Sequence, residues 1–259
     1  MAFLSDSCTF HELTDDILAA CQPFSCGNED LDDFFAHDAT RYAHFLMGKT
    51  YCFRSGSDPS KIVCALTISN DSIRIYDLPR SRRDYMKSLT HHEKPLHRYP
   101  GVLIGRLGVS RDFAGQGIGS EALQFIKGWF FSSSNKTGCR FVIVDAVNEP
   151  QVIAFYEKND FHCLFSSEEQ EFLYTGGKKG QPVVLTTRLM CITTCSKCVN
   201  NFLYFMPRRE LNNANAVKRM TDFFGHSNDL ITLSQVPTYN SFIFIYCPRG
   251  RLNIRLFSL

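Results

Sequence analysis

The chain has 259 residues, 44% of them apolar and 21% charged, with 23 Phe, so it can build a sizeable core and is too apolar for general disorder. A formal net charge of +2 excludes both a strongly basic nucleic-acid coat and an acidic tail. Of its 28 basic and 26 acidic residues, 8 and 3 fall in 191–259, leaving 20 and 23 for 1–190, so a body of net −3 precedes a tail of net +5.

Length and this charge step predict one domain, residues 1–190, followed by an extension of unknown role, residues 191–259. The eleven cysteines form no regular disulfide framework. The opening MAFLSDSCTF has neither the basic start nor the apolar stretch of a secretory signal. Free thiols and a cytoplasmic location are therefore expected. No apolar run approaches the roughly 18 residues of a spanning helix, so no membrane association is expected.

In chain order, a first strand is predicted at Cys8–Leu13, and Pro23 and Gly27 mark a loop. Ser25 or Asn28 can cap the next helix, in which Leu31, Phe34, Phe35, Tyr42, Phe45 and Leu46 recur at helical spacing up to Gly48. Strands at Thr50 and at Lys61, joined by SGSDPS, read as an antiparallel hairpin. A basic helix over Pro79–Leu89 precedes a strand from Val102, VLIGRLGV. After the glycine cluster Gly115–Gly119, Ile118, Ala122, Ile126 and Trp129 fall on one helical stripe. Arg140–Val147 reads as a strand buried on both faces, Pro150 opens a helix through Tyr156 to Asn159, and two strands follow at Phe161–Phe165 and Pro182–Met190. Mixed α/β architecture results. In the tail, strands are predicted at Asn201–Met206 and Ser241–Cys247, around a helix at Asn213–Phe224.

The most informative stretch is the strand VLIGRLGV leading through SRDF into Ala114-Gly115-Gln116-Gly117-Ile118-Gly119 at the start of a helix. Glycines let backbone approach a phosphate closely, and the first N–H groups of a helix bind anions with help from the helix dipole. A pyrophosphate site is implied. A dinucleotide-binding βαβ unit fits poorly, because the acidic residue that would hold a ribose, Asp145, lies about 26 residues after Gly119 and inside the next strand.

The segment IGRLGVSRDFAGQGIGSEAL from Ile104, with VDAVNEPQVIAFYEKNDF from Val144, resembles the acetyl-CoA-binding core of the GCN5-related N-acetyltransferase (GNAT) superfamily. The resemblance implies a mixed, mostly antiparallel sheet splayed between two central strands, with acetyl-CoA as cosubstrate and no metal. It assigns the pantetheine contacts to Leu107, Gly108 and Val109, and the pyrophosphate to Ala114, Gly115, Gln116, Gly117, Ile118, Gly119 and Ser120. Asn148 falls near the cofactor entrance, and Tyr156 becomes the general acid that protonates the departing thiolate. Ala114 departs from the family, which usually has Gln or Arg there, and a weakened cofactor affinity follows from it.

Phe24-Ser25-Cys26-Gly27-Asn28-Glu29, with Leu31, Asp32, Phe34 and Phe35 and then GKTY and LTIS, resembles the subgroup that includes bacterial toxins acetylating the amino group of aminoacyl-tRNA. The likeness covers residues 8–190. It implies an amine acceptor, with aminoacyl-tRNA first and a small-molecule or protein amine second, and it admits a homodimer and an antitoxin partner. A non-catalytic acyl-CoA-binding protein is the alternative from another class. Because phosphate binding scales with available cations, a net −3 body needs a local patch, for which Arg80, Arg82, Arg83, Lys87, Lys94 and Arg98 are candidates; a merely solvated helix face is the bland alternative. Chemistry requires an unprotonated amine and hence a proton acceptor. Glu149, Asp71, His44 and a water relay all remain open for that role.

Cys191, Cys195 and Cys198 have the C-x3-C-x2-C spacing of an iron–sulfur site, but only 61 residues follow, too few for the barrel such enzymes need. A zinc site that adds His226 lacks paired short-spaced ligands. Unligated thiols are expected, and His91 and His92 read as solvated loop residues.

Overall fold

The structure is a computed structural model that describes residues 3–88, 96–131 and 138–193, together with the backbone of the strands Ser241–Tyr246 and Asn253–Ser258. Seven strands make one sheet: β1 (Cys8–Glu12), β2 (Lys49–Ser55), β3 (Ile62–Arg74), β4 (Arg98–Val109), β5 (Phe141–Val147), β6 (His162–Cys163) and β7 (Thr187–Thr193), in the order β1-β2-β3-β4-β5-β7-β6. Five of its six pairings are antiparallel, and β4 with β5 is parallel. This is the mixed, mostly antiparallel sheet that the sequence implied.

The apolar run of β5 forms the centre. Val142, Val144 and Ala146 pack into the core beneath α6 (Ile118–Phe131), while Phe141 and Ile143 pack on the opposite face with Tyr99, Leu164, Phe165 and Met86 of α5 (Arg80–Ser88). Burial on both faces explains why this strand lacks polar alternation. The stripe Ile118, Ala122 and Ile126 is buried as its spacing predicts, and Trp129 closes an aromatic group with Phe10, Tyr51 and Phe125.

The other face of β2 and β3 carries α2 (Asp15–Ala20), α3 (Glu29–Asp33) and α4 (Ala39–His44) over a cluster of Leu13, Phe34, Phe35, Ala39, Cys52 and Ala65. The single helix predicted from Asn28 to Gly48 is interrupted by a π turn at Phe34–Asp38, and α4 ends at His44. Neighbouring Phe34 and Phe35 both have to be buried, which one stripe of 3.6-residue period does not provide, and the wider turn shifts the face that follows. Phe45 and Leu46, expected on the helix's apolar face, are instead exposed with Met47 in the turn after it, Leu46 being left-handed at φ 57°.

Local polar chemistry shapes the loop before α3. Asp32 accepts hydrogen bonds from the Ser25 hydroxyl and the Cys26 N–H, both 2.7 Å, and Asn28 caps the helix by accepting from the Leu31 N–H. The loop then reaches the turn that follows β4, where the Arg111 N–H donates to the Ser25 carbonyl at 3.0 Å. Glycine at position 108 lets the loop and helix approach closely, since a Cβ there would lie 3.1 Å from the Phe35 ring and 3.3 Å from Cys26 Sγ.

Several elements depart from periodicity. Helices α1 (Phe3–Ser7) and α8 (Glu168–Tyr174) were not predicted, although Ser167-x-x-Gln170 is a capping-box sequence and Ser167 accepts from the Gln170 N–H. The strand expected at Phe161–Phe165 shrinks to β6, and the one expected from Pro182 begins only at Thr187, because proline has no N–H for a ladder. Strand β7 continues through Met190 to Thr193 and pairs with the whole of β5. In the tail, β8 (Ser241–Tyr246) coincides with a predicted strand and pairs with β9 (Asn253–Ser258). The strand predicted at Asn201–Met206 and the helix at Asn213–Phe224 lie outside the described residues.

Replacing Asp32 by Ala should lower stability by about 2 kcal/mol, the worth of hydrogen bonds to a charged acceptor, measured by thermal unfolding at neutral pH. Partial burial alone would raise the Asp32 carboxyl, but the Cys26 N–H, the Ser25 hydroxyl and the Gly27 N–H outweigh it and hold it below the usual value. Its stabilising effect is thus present above the ordinary carboxylate pKa and fades as pH falls through the lowered one. The difference between wild type and Asp32→Ala should narrow in acid.

Candidate active site at the fork between two strands

Pairing between β4 and β5 runs from Gly101 with Phe141 to Ile104 with Val144 and stops there. The cause lies in β4: its register against β3 jumps from Thr67 with Arg106 to Ile68 with Ile104, leaving Gly105 as an unpaired bulge. A bulge bends its strand and strengthens local twist. Beyond it, Arg106–Val109 pairs only with β3, and Asp145–Val147 pairs only with β7. The two strands thus form a fork, and alternate backbone N–H and C=O groups of Leu107–Val109 face into it. The Leu107 and Val109 side chains join the core on the α6 side, and Gly108 faces Phe35 and Cys26 on the other.

From the end of β4 a 3-10 turn, Arg111–Phe113, leads to exposed Ala114–Gly117 and into α6. Gly115 and Gly117 adopt φ of +75° and +82°, and a Cβ on either would meet nothing within 4 Å. Backbone conformation, rather than crowding, therefore demands glycine at both positions. The first intrahelical bond is made by the Glu121 N–H, to the Gly117 carbonyl at 3.1 Å. Among the described residues, the N–H groups of Gly115 to Ser120 have no backbone acceptor, so this open turn can receive an anion at the positive end of a 14-residue helix.

This turn is tied to α7 (Pro150–Lys158) by a polar connection. The side-chain amide of buried Asn159 donates to the Ser120 hydroxyl at 3.1 Å and to the Phe155 carbonyl at 2.8 Å. Lys127, only 2% exposed, donates to the Asn159 carbonyl at 2.7 Å and lies 3.4 Å from the Asp160 carboxylate. A cation placed at the last carbonyls of α7 is favoured by the helix dipole. Gly119 admits the Phe155 ring, which would lie 3.1 Å from a Cβ at that position.

Tyr156 stands on α7 with edge contacts to Phe155 and Phe161, and its hydroxyl makes no hydrogen bond among the described residues. Burial pushes its pKa up to about 12, so the phenol keeps its proton throughout the neutral range. Asn148 follows the end of β5. Its amide nitrogen donates to Glu168 at 3.2 Å and to the Leu185 carbonyl at 3.1 Å, so it ties α8 to the fork instead of presenting an open donor. Glu171, 2% exposed, accepts from Arg188 at 2.7 Å and from the Leu189 N–H, which docks α8 on β7.

Of the expected proton acceptors, Glu149 is exposed at the start of α7 and His44 is exposed at the end of α4. Asp71 sits on β3 opposite Gly101. The structure adds Asp145, the first residue of β5 beyond its pairing with β4. Desolvation by the surrounding protein raises the Asp145 carboxyl although part of the residue is exposed, and the Asp71 and Glu171 carboxylates push it the same way. Sequence reasoning passed over Asp145 because only the tertiary fold shows that pairing stops one residue before it.

The basic run is less open than its sequence suggests. Arg82 and Arg83 are half-buried, Arg83 donating to the Leu78 carbonyl at 3.2 Å, and Arg80 lies 3.9 Å from Asp84. Arg98 is exposed, and Lys94 lies outside the described residues. Helix α5 also packs near the start of β4, away from the fork. Cys191 is buried in β7, while Cys195, Cys198, His91, His92 and His226 lie outside the described residues. Among the described residues no helix is long and apolar enough to cross a membrane.

The sequence profile of the acetyltransferase (GNAT) family matches residues 83–161, which hold the fork, the glycine turn and Tyr156. With the splayed sheet, this stretch is similar to a GNAT acetyltransferase domain, the class of N-acetyltransferases whose acyl donor is acetyl-CoA. Over 139 residues the chain is 29% identical to a tRNA-acetylating toxin of Mycobacterium tuberculosis (strain ATCC 25618 / H37Rv), covering 53% of this chain and 75% of that protein. The fold is shared with AtaT complexed with acetyl-methionyl-tRNAfMet (TM-score 0.54, 20% identity, 77% of this chain and 99% of the other). It is likewise shared with AtaTR bound with AcCoA (TM-score 0.54, 22% identity, 78% and 99%).

Substituting Asn159 by Ala should free the Ser120 hydroxyl and weaken the seat of Lys127, at a cost of about 1–3 kcal/mol in thermal unfolding. An unchanged melting temperature would show that the polar connection contributes nothing.

Proposed function

We propose that this protein transfers the acetyl group of acetyl-CoA to the amino group of an aminoacyl-tRNA. The observation that supports this reading most is the placement of the toxin-like segment: the Ser25–Gly27 loop and Phe35 of the following helix close directly against Gly108, on the strand that forms one wall of the fork. Its sequence relative acetylates tRNA, and AtaT is known bound to an acetylated aminoacyl-tRNA.

Acetyl-CoA supplies the acyl group as a thioester. In this reading the open N–H groups of the Ala114–Ser120 turn bind its pyrophosphate, with the α6 dipole adding to the attraction. Backbone groups of Leu107, Gly108 and Val109 align the pantetheine arm along the unpaired edge of β4 and offer N–H donors where negative charge develops. Asp145, whose carboxyl is raised by desolvation and by the Asp71 and Glu171 carboxylates, takes the proton from the attacking amine. Tyr156, still protonated, gives its proton to the departing sulfur. Asn148 holds the end of β5 and so fixes the width of the entrance. An antitoxin partner belongs to the same reading, since AtaT is also known bound to the C-terminus of its antitoxin AtaR.

A second reading, acetylation of a polyamine or a protein lysine, is favoured by Asp71 and Asp145, which would attract a cationic acceptor. Incubation with labelled acetyl-CoA and a cell extract separates the two. Label in RNA, released from aminoacyl-tRNA as an acetyl-amino acid, is expected; label confined to protein or small amines would replace the first reading with the second, and binding without turnover would leave only an acyl-CoA-binding protein.

Tyr156→Phe should reduce acetyl transfer by about tenfold or more while acetyl-CoA still binds in calorimetry. Because the phenol does not ionise near neutrality, the loss should be constant between about pH 6 and 9. Undiminished turnover would remove Tyr156 from the chemistry.

A further inference from the structure

Arg106 is the residue of β4 that follows the Gly105 bulge and precedes Leu107. It pairs with Thr67, which shares a 2.8 Å hydrogen bond with Thr50 on β2, and both threonines are buried. Arg106 therefore points to the face opposite α6 and α7. There its guanidinium lies 3.6 Å from the centre of the Phe34 ring and 5.9 Å from that of Tyr42. Phe34 is 5% exposed and belongs to the α3 core, so the platform under the guanidinium is rigid.

Among the described residues, no carboxylate is paired with this half-buried cation. Arg188 is paired with Glu168 and Glu171, and Arg74 lies beside Asp77, yet Arg106 makes no ion pair or hydrogen bond among the described residues. A guanidinium stacked on an aromatic face keeps its planar fork of N–H donors directed sideways, which suits a phosphate oxygen pair. The glycine turn and α7 occupy the other face of the fork, so an acceptor enters from the Arg106 side. The fork then presents a cation on its β4 wall and the Asp145 carboxylate on its β5 wall.

We propose that Arg106 binds a phosphodiester of the acceptor, so that the amine to be acetylated is carried by a nucleic-acid end and not by a polyamine or a lysine side chain. The inference rests on the aminoacyl-tRNA reading and adds to it the residue that recognises the nucleotide part. The amine and the phosphate are held on opposite walls, and the cation on β4 disfavours acceptors that carry only positive charge.

Steady-state kinetics of the full chain test this, comparing aminoacyl-tRNA with an aminoacyl-adenosine that lacks phosphate. Arg106→Ala should raise KM for aminoacyl-tRNA by about tenfold or more with a smaller change in kcat. The same substitution should alter transfer to the aminoacyl-adenosine by less than about threefold, and the salt dependence of tRNA binding should lose about one unit of slope. Arg106→Lys should recover part of the affinity, because it keeps the charge but loses the fork and the stack. Acetyl-CoA calorimetry and thermal unfolding report whether each variant is folded; if Arg106→Ala is not, Arg106→Gln, with a planar amide over Phe34, gives the same comparison. Equal losses with both acceptors, or no loss with aminoacyl-tRNA, would overturn the phosphate contact. A wild-type protein that labels no tRNA would overturn the proposed function and this inference with it, whereas tRNA labelling unaffected by Arg106→Ala would overturn this inference alone.

Discussion

The end of hydrogen bonding between Ile104 and Val144 is the constraint on which the rest of the site depends. Two parallel strands cannot diverge inside a sheet unless one of them bends, and the extra residue Gly105 bends β4. From that one irregularity follow the unpaired edge of Leu107–Val109, the exposure of Asp145 at the fork, and the direction in which the chain leaves β4 toward the glycine turn. Each strand retains its other neighbour, β3 or β7, so the fork opens without stripping either strand of all its ladder bonds.

The structure secures the walls of the fork from outside. On one face, Asn159 and Lys127 bind α7 to α6, and the contact of Gly119 with Phe155 fixes their spacing, so the glycine turn and the helix that carries Tyr156 are held together. On the other, Asp32 folds the Ser25–Gly27 loop against β4, while Glu171 and Arg188 dock α8 on β7 beside the end of β5. Buried polar groups of this kind contribute modestly to net stability, but their loss is costly because each leaves an unsatisfied partner. Their effect here is to give the fork one geometry.

Much of this was legible in the chain. The apolar run of β5, the stripe of α6, the strand–turn–helix order around Ala114–Gly119 and the hairpin of β2 with β3 all follow from local periodicity and turn chemistry. The errors have equally local causes. Short helices such as α8 carry too few residues for a period, though Ser167 and Gln170 signalled its start. The π turn at Phe34–Asp38 broke the expected run because two adjacent phenylalanines compete for one core. Arg82 and Arg83 looked like an open basic face because composition does not reveal that both are half-buried or that Arg83 bends back onto the Leu78 carbonyl.

By itself the sequence determined the mixed α/β class and the anion-receiving glycine turn, since these depend on glycines, helix starts and spacings that act within a few residues, while acetyl-CoA and the role of Tyr156 came from the family resemblance. Tertiary structure alone decided which groups share the fork. Asp145 and Arg106 are far apart in the chain, and they gain their character from the end of a pairing and a stacked ring. Desolvation and pairing are properties of surroundings assembled from distant residues, which no local pattern encodes.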